Sequence, residues 1–278
     1  MCIGSESLAQ SIPITSAVAA PPESFFALVR EGDRAVARQF YKKYLDVSGL
    51  SVVASGEVAD QALVRTREIV GHLLAGRPDV VRQMATSGMY LIIIGKDQVY
   101  TDMPEYRNHP NPAYQNERVR GTGGKPTSFG EENVLCLPLD RYDDESIGVH
   151  EFCHTIDGAL RGVDPTWSER KNAVFQSVRR QGLYENTYAG SNAGEYWAEI
   201  CQSYFDCNRV NNWNHGPIGT REQLREYDPE GYELVRTTFR LSPEQDWRYS
   251  YAQTQPSVIP PPAKFKLDPY YTKFTWAR

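Results

Sequence analysis

The stretch Val149-His150-Glu151-Phe152-Cys153-His154-Thr155-Ile156-Asp157 constrains this chain more than any other. It contains H-E-x-x-H, and on a helix residues four apart lie one turn above each other. His150 and His154 therefore point the same way and can share one metal ion. Glu151 sits about 100° round from His150, within reach of a water on that metal. Zinc hydrolases need this arrangement: two neutral imidazole ligands and a carboxylate that takes a proton from water. A chance string on an amphipathic helix is the plain alternative. The surrounding pattern favours the metal, because Val149, Phe152, Cys153 and Ile156 form an i, i+3, i+4, i+7 apolar stripe. Ile147, His150, His154 and Asp157 form a separate face, so both histidines lie off the core stripe. Asp144 or Ser146 can cap the start of this helix, and Gly158 or Gly162 can end it.

A chain of 278 residues has room for one large domain or two small ones, with ample core. Its net charge is −5 and it has no long basic run, so neither nucleic-acid nor anionic-membrane binding is suggested. No apolar run approaches a membrane span. The first twenty residues are small and weakly apolar with no Lys or Arg, unlike an intact signal peptide. The compartment stays open between an intracellular protein and one already stripped of its signal, leaning toward secreted. Of the five cysteines (Cys2, Cys136, Cys153, Cys201, Cys207), at least one lacks a partner within the chain. Cys153 falls on the apolar stripe and reads as a small buried hydrophobe rather than a redox group.

Residues 1–22 read as a loose tail ending in Pro21-Pro22, and residues 23–278 as a single domain. Within it, 23–140 supply helices and sheet upstream of the site, and 141–278 supply the metal-site helices and the C-terminal part. A helical hairpin is expected first, with one helix from Glu23 to Arg30. The second starts at Asp33 and carries Val36, Phe40, Tyr41 and Tyr44 on one face. Leu50 to Ala54 reads as a short strand, Asp60 to Leu74 as an amphipathic helix, and Pro78 opens another helix to about Ala85. Tyr90 to Gly95 is a continuous apolar run, as expected for a strand buried on both faces. The stretch from Met103 to Glu132 reads as a long loop that shapes a cleft. It holds Gly121-Thr122-Gly123-Gly124-Lys125, but a phosphate-binding loop needs Gly where Val119 stands and Ser or Thr where Pro126 stands. Asn133 to Leu139 reads as an edge strand leading into the metal helix, where an extended substrate can add as a further strand. Thr166-Trp167-Ser168-Glu169 reads as a capping box opening a helix to about Arg180, stopped by Gly182.

Zinc needs a third protein ligand. Asn192 can cap a helix running to about Cys207, with Trp197, Ile200, Cys201 and Tyr204 toward the core. Glu195, Glu199, Gln202 and Asp206 then face the other way. Taken alone, Glu195 fits a capping-box glutamate and Glu199 a solvated surface charge. Downstream of H-E-x-x-H, the pair instead supplies a candidate carboxylate ligand. The remaining histidines, His72, His109 and His215, show no repeated ligand spacing.

H-E-x-x-H followed by a helix bearing E-x-x-x-E resembles the gluzincin metallopeptidases. More closely, the segment resembles the catalytic domain of the anthrax lethal factor family. That family has an H-E-F-x-H-x-x-D helix, then a Tyr seven residues before E-[FY]-[FW]-A-E. This chain has His150-Glu151-Phe152-Cys153-His154, Asp157, Tyr188 and Glu195-Tyr196-Trp197-Ala198-Glu199, a match covering residues 145 to 207. The resemblance implies an α+β zincin-like fold: a small mixed sheet, an edge strand beside the H-E-x-x-H helix, and a mainly helical C-terminal half. It implies that His150, His154 and Glu195 bind Zn2+, that Glu151 is the general base, and that Tyr188 donates to the oxyanion. Glu199 would orient a ligand histidine, and Asp157 would do the same for His154 or simply favour the local helix. The activity implied is hydrolysis of peptide bonds in a peptide or protein substrate. The rivals are a catalytically silent zinc-binding or interaction module, and a zinc hydrolase of another amide or ester.

Beyond Pro260-Pro261-Pro262 the sequence carries Phe265, Leu267, Tyr270, Tyr271, Phe274 and Trp276. So aromatic a tail is expected to pack on the body rather than to be disordered. Core completion is the plainer reading of it, and bordering the cleft the sharper one.

Overall fold

A computed structural model describes residues 17–142, 145–209 and 218–249. Asp144, His215, Cys2 and the aromatic C-terminal tail lie outside the described residues. Five strands make one mixed sheet: β1 (Tyr41–Val47), β2 (Leu50–Ser55), β3 (Tyr90–Ile94), β4 (Gly121–Thr122) and β5 (Thr127–Gly130). Their order across the sheet is β1-β2-β3-β5-β4. The β2–β3 and β3–β5 pairs are parallel, and the two outer pairs are antiparallel. β3 is central and buried throughout, as its unbroken apolar run requires. Leu91 and Ile93 enter the core on one face, and Tyr90, Ile92 and Ile94 enter the core on the other.

The helices are α1 (Glu23–Phe26), α2 (Arg34–Phe40), α3 (Asp60–Leu73), α4 (Pro78–Thr86), α5 (Pro112–Arg118) and α6 (Glu131–Val134). They continue with α7 (Ile147–Val163), α8 (Trp167–Arg180), α9 (Ala193–Tyr204), α10 (Arg221–Tyr227) and α11 (Pro229–Phe239). The architecture is therefore mixed α+β, with a small sheet and a helical C-terminal half. Phe25 and Phe26 of α1 and Ala37 of α2 pack on one face of the sheet. The larger core lies on the other face, where α3, α4 and α7 meet Val52, Leu91, Ile93 and Phe129. None of the described helices is long and apolar enough to cross a membrane.

Several expectations are corrected. The first helix ends at Phe26 rather than Arg30, and the second ends at Phe40, so Tyr41 and Tyr44 belong to β1. In Tyr41-Lys-Lys-Tyr-Leu-Asp-Val, Leu45 and Val47 are buried two residues apart in the larger core, while a register shift between Tyr41 and Lys43 puts buried Tyr41 in the core on the other face. Ser48 and Gly49 follow with φ of 54° and 89°, which closes a two-residue hairpin onto β2. Val36 is left exposed rather than packed.

Asn133 to Leu139 is not a strand. Asn133 ends in a hydrogen-bond hub instead: its Oδ1 accepts from the Ile147 amide at 2.8 Å, and its Nδ2 donates to Asp140 and to the Glu145 carbonyl at 2.9 Å each. The edge strand beside the H-E-x-x-H helix α7 is β4, inside the stretch expected to be a loop. Finally, α8 spans the expected residues without the capping box, because the Thr166 hydroxyl donates to Asp164 at 2.7 Å. At the N-terminal side, Ala19 pairs with Tyr44 through backbone hydrogen bonds of 3.0 and 2.8 Å.

Candidate active site

α7 begins where Ser146 Oγ accepts from the Val149 amide at 3.3 Å. Its apolar stripe is fully buried, with Val149, Phe152, Cys153 and Ile156 at 0–1% exposure. α9 packs across it, fixed by Trp197, whose indole N–H donates to the Cys153 carbonyl at 2.8 Å. Asn192 Oδ1 caps α9 by accepting from the Gly194 and Glu195 amides at 2.9 and 3.0 Å. The cap thus fixes the turn that carries Glu195.

The result is a triangle of donor atoms. His150 Nε2 lies 3.2 Å from Glu195 Oε2, His154 Nε2 lies 3.1 Å from the same oxygen, and the two Nε2 atoms are 3.2 Å apart. Donors of a tetrahedral site with bonds of about 2.0–2.1 Å stand about 3.3 Å apart, so the triangle has the size of a zinc site. Two imidazole nitrogens and a carboxylate oxygen are also a donor set that zinc accepts. Among the described residues this is the one group of three or more His, Cys, Asp or Glu close enough to hold a metal.

The charges around the triangle are coupled. Burial opposes a proton on His150, but the Glu195 hydrogen bond and the carboxylates of Glu151, Glu199 and Glu195 outweigh it and hold its pKa well above the usual value. Burial likewise opposes ionisation of Glu195, yet the two imidazoles hold its carboxyl well below the ordinary range. Burial raises Glu151, while His150 and His154 pull it back. Tyr188 stacks near His150, with ring centroids 6.0 Å apart. Burial of its hydroxyl and the nearby Glu195 and Glu151 carboxylates push its pKa up, which keeps it a proton donor. The residue as a whole remains 40% exposed, as a group that meets a ligand must be.

The other wall is the β4–β5 hairpin. A Cβ on Gly123 would stand 2.5 Å from His154 Cβ and 2.9 Å from the Glu151 carbonyl. A Cβ on Gly121 would stand 2.6 Å from an Ile147 methyl and 2.9 Å from Glu151 Cγ. Only glycine lets this backbone approach α7 so closely. Below it, Thr155 Oγ1 accepts from the Gly124 amide at 3.1 Å, and Thr127 Oγ1 donates to the Gly124 carbonyl at 2.8 Å.

The structure brings His150, Glu151, His154, Tyr188 and Glu195 together and sets Asp157 apart. Asp157 Oδ1 accepts from Trp167 Nε1 and Lys171 Nζ, each at 2.7 Å, and Oδ2 accepts from Arg161 at 2.9 Å. It makes no hydrogen bond to His154, because three donors from α7 and α8 turn it toward the α7–α8 contact. Glu199 is buried beside His150, but its Oε1 is 3.6 Å from Nδ1, beyond a good hydrogen bond. Gln202, seven residues past Glu195 on the same face, makes that bond at 2.7 Å. The sequence put Gln202 on the right face of α9, but not within reach of a particular ring. Cys153, Cys201 and Cys207 are buried free thiols, and Cys136 is half-buried.

No protein-family profile matches this sequence, and no curated protein is similar to it. Among solved structures, a Pro-Pro endopeptidase (PPEP-2) from Paenibacillus alvei superposes with a TM-score of 0.47 at 15% sequence identity. The superposition covers 67% of this chain and 96% of that one. What the site does follows from its own side chains.

Proposed function

We propose that this chain is a zinc-dependent metalloendopeptidase. The observation that supports it is the His150–His154–Glu195 triangle, 3.1–3.2 Å on each side, with Glu151 and Tyr188 at its rim. Bound zinc would supply a Lewis acid that lowers the pKa of water toward about 7. Glu151 takes the proton of the attacking water and passes it to the leaving amine. The Tyr188 hydroxyl donates to the oxyanion of the tetrahedral intermediate. β4 is the sheet edge beside α7, where an extended peptide can add as a further strand. The narrower form of the proposal is a gluzincin of the lethal factor type, with Glu195 as third ligand.

The test pairs metal analysis with peptide cleavage. Glu151→Gln should keep zinc and fold while losing most turnover, since an amide cannot accept the proton. Tyr188→Phe should lower kcat by about 10²-fold with little change in KM. A wild-type protein that takes up no zinc and cleaves no peptide in a proteome-wide substrate pool sinks the reading.

A further inference from the structure

We propose that Gln202 is the positioning residue that fixes the ring of His150, an inference that rests on the metal-site reading above. Gln202 is fully buried on α9, and its Oε1 lies 2.7 Å from His150 Nδ1. The surroundings of its other amide atom decide which way round the side chain sits. Nε2 lies 3.1 Å from the Ser146 carbonyl, 3.4 Å from Glu145 Oε2 and 3.5 Å from the Cys207 carbonyl. All three are acceptors, so the NH2 group belongs there and the oxygen faces the ring. The reverse orientation would set an oxygen against three acceptors. It would also require a bare Nδ1, and hence an N–H on Nε2 aimed into the ligand triangle. In the neutral ring the network therefore places the His150 proton on Nδ1 and leaves the Nε2 lone pair toward Glu195 and His154.

Two further features point to Gln202 rather than Glu199. Glu199 Oε1 stands 3.6 Å from the same Nδ1, and its Oε2 accepts from Asn208 at 3.1 Å. A neutral amide also orients the ring without adding charge where the Glu195 and Glu199 carboxylates already stand 3.2 and 3.6 Å from its two nitrogens. The amide is held from both helices. The Ser146 carbonyl belongs to the cap of α7, and the Ser146 amide donates to the Cys207 carbonyl at 3.0 Å. His154 differs, for among the described residues its Nδ1 has no hydrogen-bond partner.

The experiment uses ring ¹⁵N NMR and zinc competition against a chelator in wild type, Gln202→Leu and Glu199→Gln. In metal-free wild type, at a pH that leaves the ring neutral, His150 should be the Nδ1–H tautomer. In the zinc-loaded protein its Nδ1–H should exchange slowly, and that of His154 quickly. Gln202→Leu should shift the His150 tautomer and weaken zinc binding by about 10–100-fold, while Glu199→Gln leaves the tautomer unchanged. An Nε2–H tautomer in wild type, or a Gln202→Leu protein with unaltered His150 shifts and zinc affinity, overturns the proposal. If Gln202→Leu does not fold, the wild-type tautomer and exchange rates still decide. If wild type binds no zinc, the metal reading fails, and the metal-free tautomer still tests Gln202.

Discussion

The H-E-x-x-H helix α7 has two neighbours on the side of its histidines, and they hold it by different physics. Toward α9 the contact is polar: Glu195 meets both histidines, Gln202 meets His150, and Asn208 and Ser146 complete the network. Toward the β4–β5 hairpin the contact is bare backbone, with Gly121 and Gly123 pressed on Glu151 and His154. The α9 wall selects donor and acceptor chemistry, and the hairpin wall selects size. The two histidines share Glu195 and divide along the same line beyond it: His150 has a second hydrogen bond, to Gln202, and His154 has the close steric contact of Gly123.

The comparison breaks most sharply at Gly123. A methyl group there meets His154 Cβ at 2.5 Å and backbone at 2.9 Å, and neither neighbour is the end of a flexible side chain. Gly123→Ala should push the hairpin off α7. The strain of overpacking costs about 1–3 kcal/mol, and a shift of about 1 Å beside Glu151 can cost about 10²-fold in turnover. Thermal unfolding and peptide cleavage would measure both. Wild-type values for each would show that the hairpin wall is not a steric one.

The α9 wall is tested by proton and metal competition. His150 is held above its ordinary pKa of 6.5 in the folded metal-free chain. Its contribution to stability is therefore full below 6.5 and is lost as pH rises through the folded value. Glu195 is depressed from 4.5, so its contribution is present above 4.5 and is lost as pH falls through the folded value. The metal-free protein should be most stable between those two limits and weaken toward alkaline pH. Saturating zinc should reverse the alkaline trend, because zinc needs the imidazoles unprotonated. Thermal unfolding across pH, with zinc or with chelator, is the measurement. Parallel curves would show that the triangle does not link protons to metal.

How much of this was legible follows the same division. The histidine helix, its Ser146 cap and the Asn192 cap each depend on spacings within one helix, and those can be read locally; Glu195 alone fits a capping box and stands out only beside the H-E-x-x-H helix. β4 has only two residues, one of them Gly, so no alternation announces it. It is recognisable through its pairing of Gly121 with Phe129 and Thr122 with Ser128. The glycines of a run that Val119 and Pro126 exclude as a phosphate loop thus have their reason in a contact across tens of residues of chain. Asn133 misled for a related cause, since its partners Asp140, Glu145 and Ile147 lie 7 to 14 residues away. Asp157 occupied the expected helix face, but Trp167 and Lys171 on the next helix claimed its carboxylate.

A smaller effect sharpens the α9 side. Asn192→Ala removes the acceptor for two amides at the start of α9 and should cost about 1 kcal/mol. Because Glu195 sits in that first turn, zinc affinity should fall along with stability. A stability loss without any change in zinc affinity would show that α9 packing alone, and not the cap, places Glu195.

The smallest effect returns to glycine and carries the opposite sign. Gly158 was a candidate end for α7, yet the helix runs on to Val163. An added Cβ at Gly158 meets nothing within 4 Å, and its φ is not in the left-handed region. The residue is exposed, beyond the Ile156 end of the apolar stripe and one turn past His154. Gly158→Ala should therefore stabilise the fold by about 0.5–1 kcal/mol, because alanine loses less backbone freedom in a helix. Turnover and zinc affinity should stay at wild-type values. The same methyl that disrupts the site at position 123 would then strengthen the helix that carries it at position 158. A destabilised Gly158→Ala protein would mean that something covers this face of α7 in solution, and the hairpin would then share its steric role with that neighbour.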